Sequence, residues 1–146
     1  MTVTIRGALP ADTQRIVELN RSALGYTVDP QALRAQLERI LLRPTDRLLV
    51  AVDTQSGRVE GFVHAADYET LHSGRLKNIV ELAVDPARQG QGLGRMLLEA
   101  VEQWAQEEGC AGVRLVSSMQ RTQAHAFYAH GGYTMRKEQK NFIRYF

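Results

Sequence analysis

"VDPARQGQGLGRMLLEA", residues 84–100, carries glycine at alternate positions, Gly90, Gly92 and Gly94, between a strand-like apolar run and a helix-like one. One glycine suffices for most turns. Several in succession, directly before a helix, indicate that something approaches the backbone closely. A helix N-terminus presents unpaired N–H groups and the positive end of the helix dipole, which suits an anion. A dinucleotide loop does not fit: G-x-G-x-x-G counted from Gly90 ends on Arg95, and from Gly92 on Leu97. The Gly-Lys-Ser/Thr of a nucleoside-triphosphate loop is also missing.

Upstream of the glycines, "NIVELAV" (78–84) is apolar except for Glu81, so it reads as a strand covered on both faces. Downstream, Leu93, Met96, Leu97, Ala100, Val101, Trp104 and Ala105 follow the helical period, with Gly109 as a C-terminal cap. Residues 111–117 read as the next strand. A strand, helix, strand sequence predicts a right-handed parallel crossover. Earlier in the chain, 2–7 reads as a short strand and 9–24 as one helix, with Pro10 and Asp12 at its start. Asp29-Pro30 opens a second helix, buried through Leu33, Leu37, Ile40 and Leu41. Residues 46–53 and 59–68 predict an antiparallel hairpin. Residues 121–130 read as a short helix closed by Gly131-Gly132, and 133–146 as one or two final strands. The class is α/β or α+β with a mixed sheet.

A length of 146 residues fits a single domain, 1–146. The net charge of +2 and the scattered basic residues argue against a nucleic-acid partner. Cys110 is the only cysteine, which excludes an intrachain disulfide. His64, His72, His125 and His130 make no metal-ligand spacing with it, so no metal is expected. No signal-peptide core and no membrane-length apolar run occur, which leaves no membrane partner and the cytoplasm as the default location.

The run Gln89-Gly90-Gln91-Gly92-Leu93-Gly94 resembles the acetyl-CoA loop of the GNAT acetyltransferase superfamily. "RTQAHAFYAHGGY" (121–133) resembles the family's later motif, through Ala124, Phe127, Tyr128 and Gly132-Tyr133. Arg121 stands where many members carry Asn, so a role of that amide does not transfer, and a ribosomal-protein N-terminal acetyltransferase is disfavoured. The resemblance implies a mixed, mostly antiparallel central sheet flanked by helices, with two splayed parallel strands at the centre. It implies acetyl-CoA as cosubstrate. Its pyrophosphate would lie on the backbone N–H groups of Gln89, Gly90, Gln91, Gly92, Leu93 and Gly94, with charge from Arg95 and, if it is not a plain surface residue, Arg88. Its pantetheine arm would bond to the backbone of Leu82, Ala83 and Val84 and to the Ser117 end of the next strand, with Ala124 and Phe127 beside it.

An amine attacking a thioester must lose a proton, its oxyanion needs a donor, and the leaving thiolate benefits from an acid. A strand N–H at Leu82 or Ala83 would serve the oxyanion. Tyr128 is the candidate acid, since a phenol near ~10 can protonate a developing thiolate near ~8.5; the competing reading is a core tyrosine. Glu81 is the candidate base, raised by apolar neighbours. A carboxylate facing solvent, one holding the substrate ammonium, or an ordered water in its place are the other readings. His125, on the same helix as Tyr128, reads as a surface residue or a support. The expected reaction is acetyl transfer to a primary amine of a small molecule; the alternatives are a protein lysine or N-terminal acetyltransferase, or a CoA-binding sensor without turnover. Phe142, Ile143, Tyr145 and Phe146 would either form a homodimer or finish the chain's own core.

Overall fold

The computed structural model describes residues 2–146, which form two compact units divided between Leu115 and Val116. The first holds a five-stranded sheet in sequence order. Its strands are β1 (Val3–Gly7), β2 (Asp46–Asp53), β3 (Val59–Tyr68), β4 (Leu76–Val84) and β5 (Gly112–Leu115). The first four pair antiparallel, and β5 joins β4 in parallel. Helix α3 (Leu93–Glu107) makes the expected crossover between them. The fold class is therefore the expected mixed sheet with flanking helices. The parallel pair, however, lies at the end of the sheet and not at its centre, because no later strand follows β5 among the described residues.

Helices α1 (Thr13–Leu19) and α2 (Pro30–Leu41) cover one face. Their Ile16, Leu19 and Leu37 pack with Leu48, Val50, Phe62 and Ala83 of the sheet. The Asp29 side chain caps α2 by accepting from the Ala32 N–H at 2.9 Å, as the Asp-Pro pair predicts. The single helix expected over 9–24 is instead three segments: a 3-10 turn (Pro10–Asp12), α1, and a π-helical turn at Asn20–Leu24. Buried Asn20 explains the change, because its side-chain amide donates to the Ile16 carbonyl at 3.0 Å and disturbs the local ladder. Gly25, at φ +78°, ends the turn.

Helix α3 covers the opposite face through Leu93, Leu97, Leu98, Val101 and Trp104. Gly61 permits this approach: a Cβ there would lie 2.9 Å from the Ala83 carbonyl and 3.3 Å from Leu97. Lys77, fully enclosed, pairs with Asp67 and Glu108 and lies over the Trp104 ring.

In the second unit, α4 (Thr122–His130) is followed by a tight turn in which the Tyr133 N–H donates to the Tyr128 carbonyl at 3.0 Å. The strands expected within 133–146 do not form. Arg136–Asn141 is an unbroken polar run, without the alternation that a half-buried strand needs.

Candidate active site

The glycine segment is anchored before it begins. Asp85 accepts from the Ala87 N–H at 2.9 Å and pairs with Arg15 at 2.8 Å. Arg88 reaches Glu60 at 2.7 Å and Asp53 at 2.9 Å. Arg88 is thus neither a surface residue nor a spare charge for a ligand; it ties the loop to β2 and β3. Beyond it, Gly90 and Gly92 take φ of +79° and +89°, the left-handed region that favours glycine. A Cβ at either would meet nothing within 4 Å, so the space beside this backbone is open. Gly94 is the second residue of α3. The first turn of α3 has no side-chain cap, and its first bond runs from the Met96 N–H to the Gly92 carbonyl at 3.0 Å. The N–H groups of Leu93, Gly94 and Arg95 therefore lack helical acceptors. Gln89 and Gln91 are exposed, and the Leu93 side chain is buried, which leaves only its backbone for a ligand. Arg95 is half-exposed, 3.4 Å from Glu99.

Strand β4 is paired on both sides only as far as Ile79, opposite Leu115. Ile79 pairs with Ala65 of β3, but Glu81 pairs with the adjacent His64, so Val80 is an extra residue. Such a bulge bends the strand and increases its twist. From Val80 to Val84 the β5 side of β4 carries no strand. Leu82, Ala83 and Val84 lie on this open edge, where the Val84 carbonyl accepts from the Gln89 side chain at 3.4 Å. The bulge also decides where Glu81 points. Without it Glu81 would oppose Val63 and share a face with α3; with it, Glu81 faces the α1–α2 side beside His64. The π-helical turn packs against β4.

Burial pushes the Glu81 carboxyl up from its ordinary value, and nearby His64 offsets part of the rise. Glu81 Oε2 is buried without a hydrogen-bond partner in the protein. His64 is held in turn: its Nε2 lies 2.7 Å from Asp46 Oδ2. With Asp46 ionised, the His64 Nε2–H is the donor of this bond. The Asp46–His64 pair was not among the sequence-predicted site residues. A histidine inside a largely apolar strand was the signal; the register that sets it against Glu81 left no trace in sequence.

The remaining candidates belong to the second unit. Ser117 lies past the end of β5, and its Oγ is buried without a partner. Ala124, Phe127 and Tyr128 are partly buried on α4. The Tyr128 ring meets Phe127 and Tyr133 edge-on, at centroid distances of 5.1 and 5.9 Å. Burial raises the Tyr128 phenol, with a smaller opposing effect from Arg121. His125 donates to the Ser118 carbonyl at 2.8 Å, which fastens the segment that leads into α4. Among the described residues no three His, Cys, Asp or Glu side chains converge as a metal site, and no helix is long and apolar enough to cross a membrane.

A family model described as the acetyltransferase (GNAT) family matches residues 13–133. An aminoalkylphosphonate N-acetyltransferase of Salmonella typhimurium is 30% identical over 130 residues, covering 88% of this chain and 83% of that protein. An aminoglycoside N(6')-acetyltransferase type 1 of Stenotrophomonas maltophilia is 29% identical over 134 residues, covering 89% and 85%. Among solved structures, AAC(6')-Iy in complex with the bisubstrate analogue CoA-S-monomethyl-acetylneamine superposes with a TM-score of 0.83 at 20% identity, covering 99% of each chain.

Proposed function

The chain belongs to the GNAT acetyltransferase family, and from that premise we propose that it transfers the acetyl group of acetyl-CoA to a primary amine of a small molecule, residues 1–146 acting as one N-acetyltransferase domain. The observation that carries this reading is Glu81: a buried carboxylate oxygen without a protein partner, beside an open strand edge. Two relatives named for amine substrates support the acceptor class.

The residues fit acetyl-CoA. The uncapped start of α3 and the left-handed glycines offer a pyrophosphate the backbone N–H groups of Gln89 to Gly94, with Arg95 adding charge. The open edge at Leu82, Ala83 and Val84 offers the pantetheine arm the hydrogen bonds of an added strand. Ser117, Ala124 and Phe127 complete the proposed cofactor contacts. Glu81, ionised, takes the proton of the substrate ammonium directly or through a water, and the neutral amine attacks the thioester carbonyl. A β4 N–H at Leu82 or Ala83 donates to the oxyanion of the tetrahedral intermediate. The C–S bond then breaks, Tyr128 gives its proton to the leaving thiolate, and the surplus proton on the new amide nitrogen passes through solvent to the Tyr128 phenolate, which restores the phenol. Its raised pKa keeps it a phenol at neutral pH, the form an acid needs. A cytoplasmic location accompanies this use of acetyl-CoA, with no nucleic-acid or membrane partner. The exposed Phe142, Ile143, Tyr145 and Phe146 support a homodimer, which sedimentation would detect as a doubled mass.

Thiol release from acetyl-CoA against polyamines, aminoglycosides, amino acids and peptides tests the reading. Turnover with small amines is expected. Turnover with peptides alone assigns a protein acetyltransferase, and CoA binding without turnover a sensor. In the same assay Tyr128→Phe loses about 10²- to 10⁴-fold in kcat, the usual worth of a general acid, with acetyl-CoA affinity retained. Near-normal turnover in the folded variant removes Tyr128 from the mechanism.

A further inference from the structure

The face of the sheet that carries Glu81 also holds an arginine without an ion pair among the described residues. By register, His64, Ala66 and Tyr68 of β3 share this face with Asn78 and Glu81 of β4, and Arg114 of β5 lies opposite Asn78. Arg114 Nη1 donates to Asn78 Oδ1 at 2.6 Å, and its guanidinium carbon lies 4.2 Å from the centre of the Tyr68 ring. Arg6, Arg15, Arg58, Arg75 and Arg88 each have a carboxylate within 4 Å. Arg114, partly buried, has none among the described residues. An amide and an aromatic ring fix its plane without neutralising it, and its remaining N–H donors stay available.

Its position relative to Glu81 is set by the sheet. The bulge leaves Glu81 and Asn78 two register positions apart, about 7 Å along the strand, and Arg114 one strand across, about 5 Å further. The apolar cluster under α1 and α2 occupies the neighbouring stretch of this face, at Leu48, Val50, Phe62 and Ala83. A carboxylate and a guanidinium therefore stand near each other, each without an ionic partner, on the polar part of one surface.

We propose that Arg114, oriented by Asn78 and Tyr68, binds an anionic group on the amine substrate while the substrate's amino nitrogen lies at Glu81. The substrate class is a short zwitterion, an amine linked by a few atoms to a phosphonate, phosphate or carboxylate. This deepens the acetyltransferase reading and rests on it for the role of Glu81.

Binding is measured by calorimetry, independently of turnover. 3-Aminopropylphosphonate, 4-aminobutyrate and n-pentylamine are titrated into the wild-type protein, Arg114→Ala and Arg114→Lys, each checked for folding by its melting temperature. Wild type binds at least one of the anionic amines roughly 10- to 100-fold more tightly than n-pentylamine, the range of a charge-assisted hydrogen bond. The better of the two anions identifies the group. Arg114→Ala abolishes the preference. Arg114→Lys keeps part of it, since a lysine supplies charge without the planar fork. Equal affinities, no binding of any of these amines, or a preference that survives Arg114→Ala overturns the assignment. Thiol release on the same preparations keeps the two questions apart. Turnover of n-pentylamine without an anion preference overturns the site and leaves the acetyltransferase standing. An anion preference without turnover of any amine does the reverse.

Discussion

Glu60 and Glu81 lie on adjacent strands, the first fully enclosed and the second partly buried, and their surroundings treat them in opposite ways. Glu60, 1% exposed, is the extra residue where β3 shifts register against β2, and it is ringed by Arg88 at 2.7 Å, Arg58 at 3.4 Å and Arg15 at 3.5 Å. Glu81 follows the corresponding irregularity in β4 and has no cation in contact, only the electrostatic influence of His64. Each has one buried oxygen without a hydrogen bond, Glu60 Oε1 and Glu81 Oε2, but only at Glu60 do arginines balance the charge. A buried carboxylate ringed by arginines fixes structure; one without an ion pair carries its charge at a cost in stability. The first holds the glycine loop in place, and the second lies where β4 has lost its β5 partner.

Replacing each glutamate by glutamine breaks this comparison most severely. Glu81→Gln is expected to lose about 10²- to 10⁴-fold in kcat with its melting temperature unchanged or raised. Glu60→Gln is expected to lose about 3 kcal/mol of stability, read by denaturant titration, with turnover per folded molecule retained. If the two variants trade phenotypes, the division of roles is wrong.

pH separates them further. The Glu81 pKa is raised in the folded state from an ordinary 4.5. The folded protein thus binds the proton more tightly than the unfolded chain. The cost of the buried charge is present above the folded pKa and disappears as pH falls below the unfolded one. The melting temperature of Glu81→Gln should exceed wild type most above the folded Glu81 pKa and converge with it as pH falls below the unfolded one. Catalysis has the opposite sign, because a base must be ionised: kcat rises with pH through the Glu81 pKa. His64 holds that pKa down, and Asp46 holds His64. His64→Gln should therefore move the acid limb of the kcat profile to higher pH, and activity at a fixed pH on that limb falls about tenfold for each pH unit the limb moves. Asp46→Asn should move it in the same direction by less. A limb unchanged in both variants detaches the pair from Glu81.

The smallest effects come from the two arginines beside the glycines. Arg95→Ala, at a half-exposed side chain, should weaken acetyl-CoA binding only a few-fold without altering stability. Arg88→Ala should lower stability, because it takes a partner from buried Glu60. Calorimetry and thermal melting on the two proteins distinguish a ligand contact from a loop anchor.

The β4–loop–α3 unit was legible in sequence because its signals are local: an apolar run, closely spaced glycines and a 3.6-residue period. What escaped depends on distant partners or on a single side chain. Arg88 looked available because Asp53 and Glu60 lie far away along the chain. The π-helical turn followed from the amide of Asn20, which a hydrophobic period does not record. The final strands were expected over 133–146, where the polar run Arg136–Asn141 withholds alternation. In "NIVELAV" the apolar residues are too continuous to reveal a change of register, so Glu81 stood out as a candidate without its facing, and Arg114 was passed over as one more residue of a strand.

Val80 acts as a phase inversion in a two-beat pattern. Before it, odd-numbered Lys77 and Ile79 look toward α3 and even-numbered Asn78 looks toward α1 and α2; after it, Glu81 and Ala83 look toward α1 and α2 and Leu82 and Val84 toward α3. Parity along this strand therefore carries no constant meaning. Ile79 and Glu81, two residues apart, belong to different environments, one on the α3 side of the sheet and the other on the α1–α2 side. An alanine scan of β4 would record that inversion as a change of rhythm, with the positions that govern melting odd before Val80 and even after it.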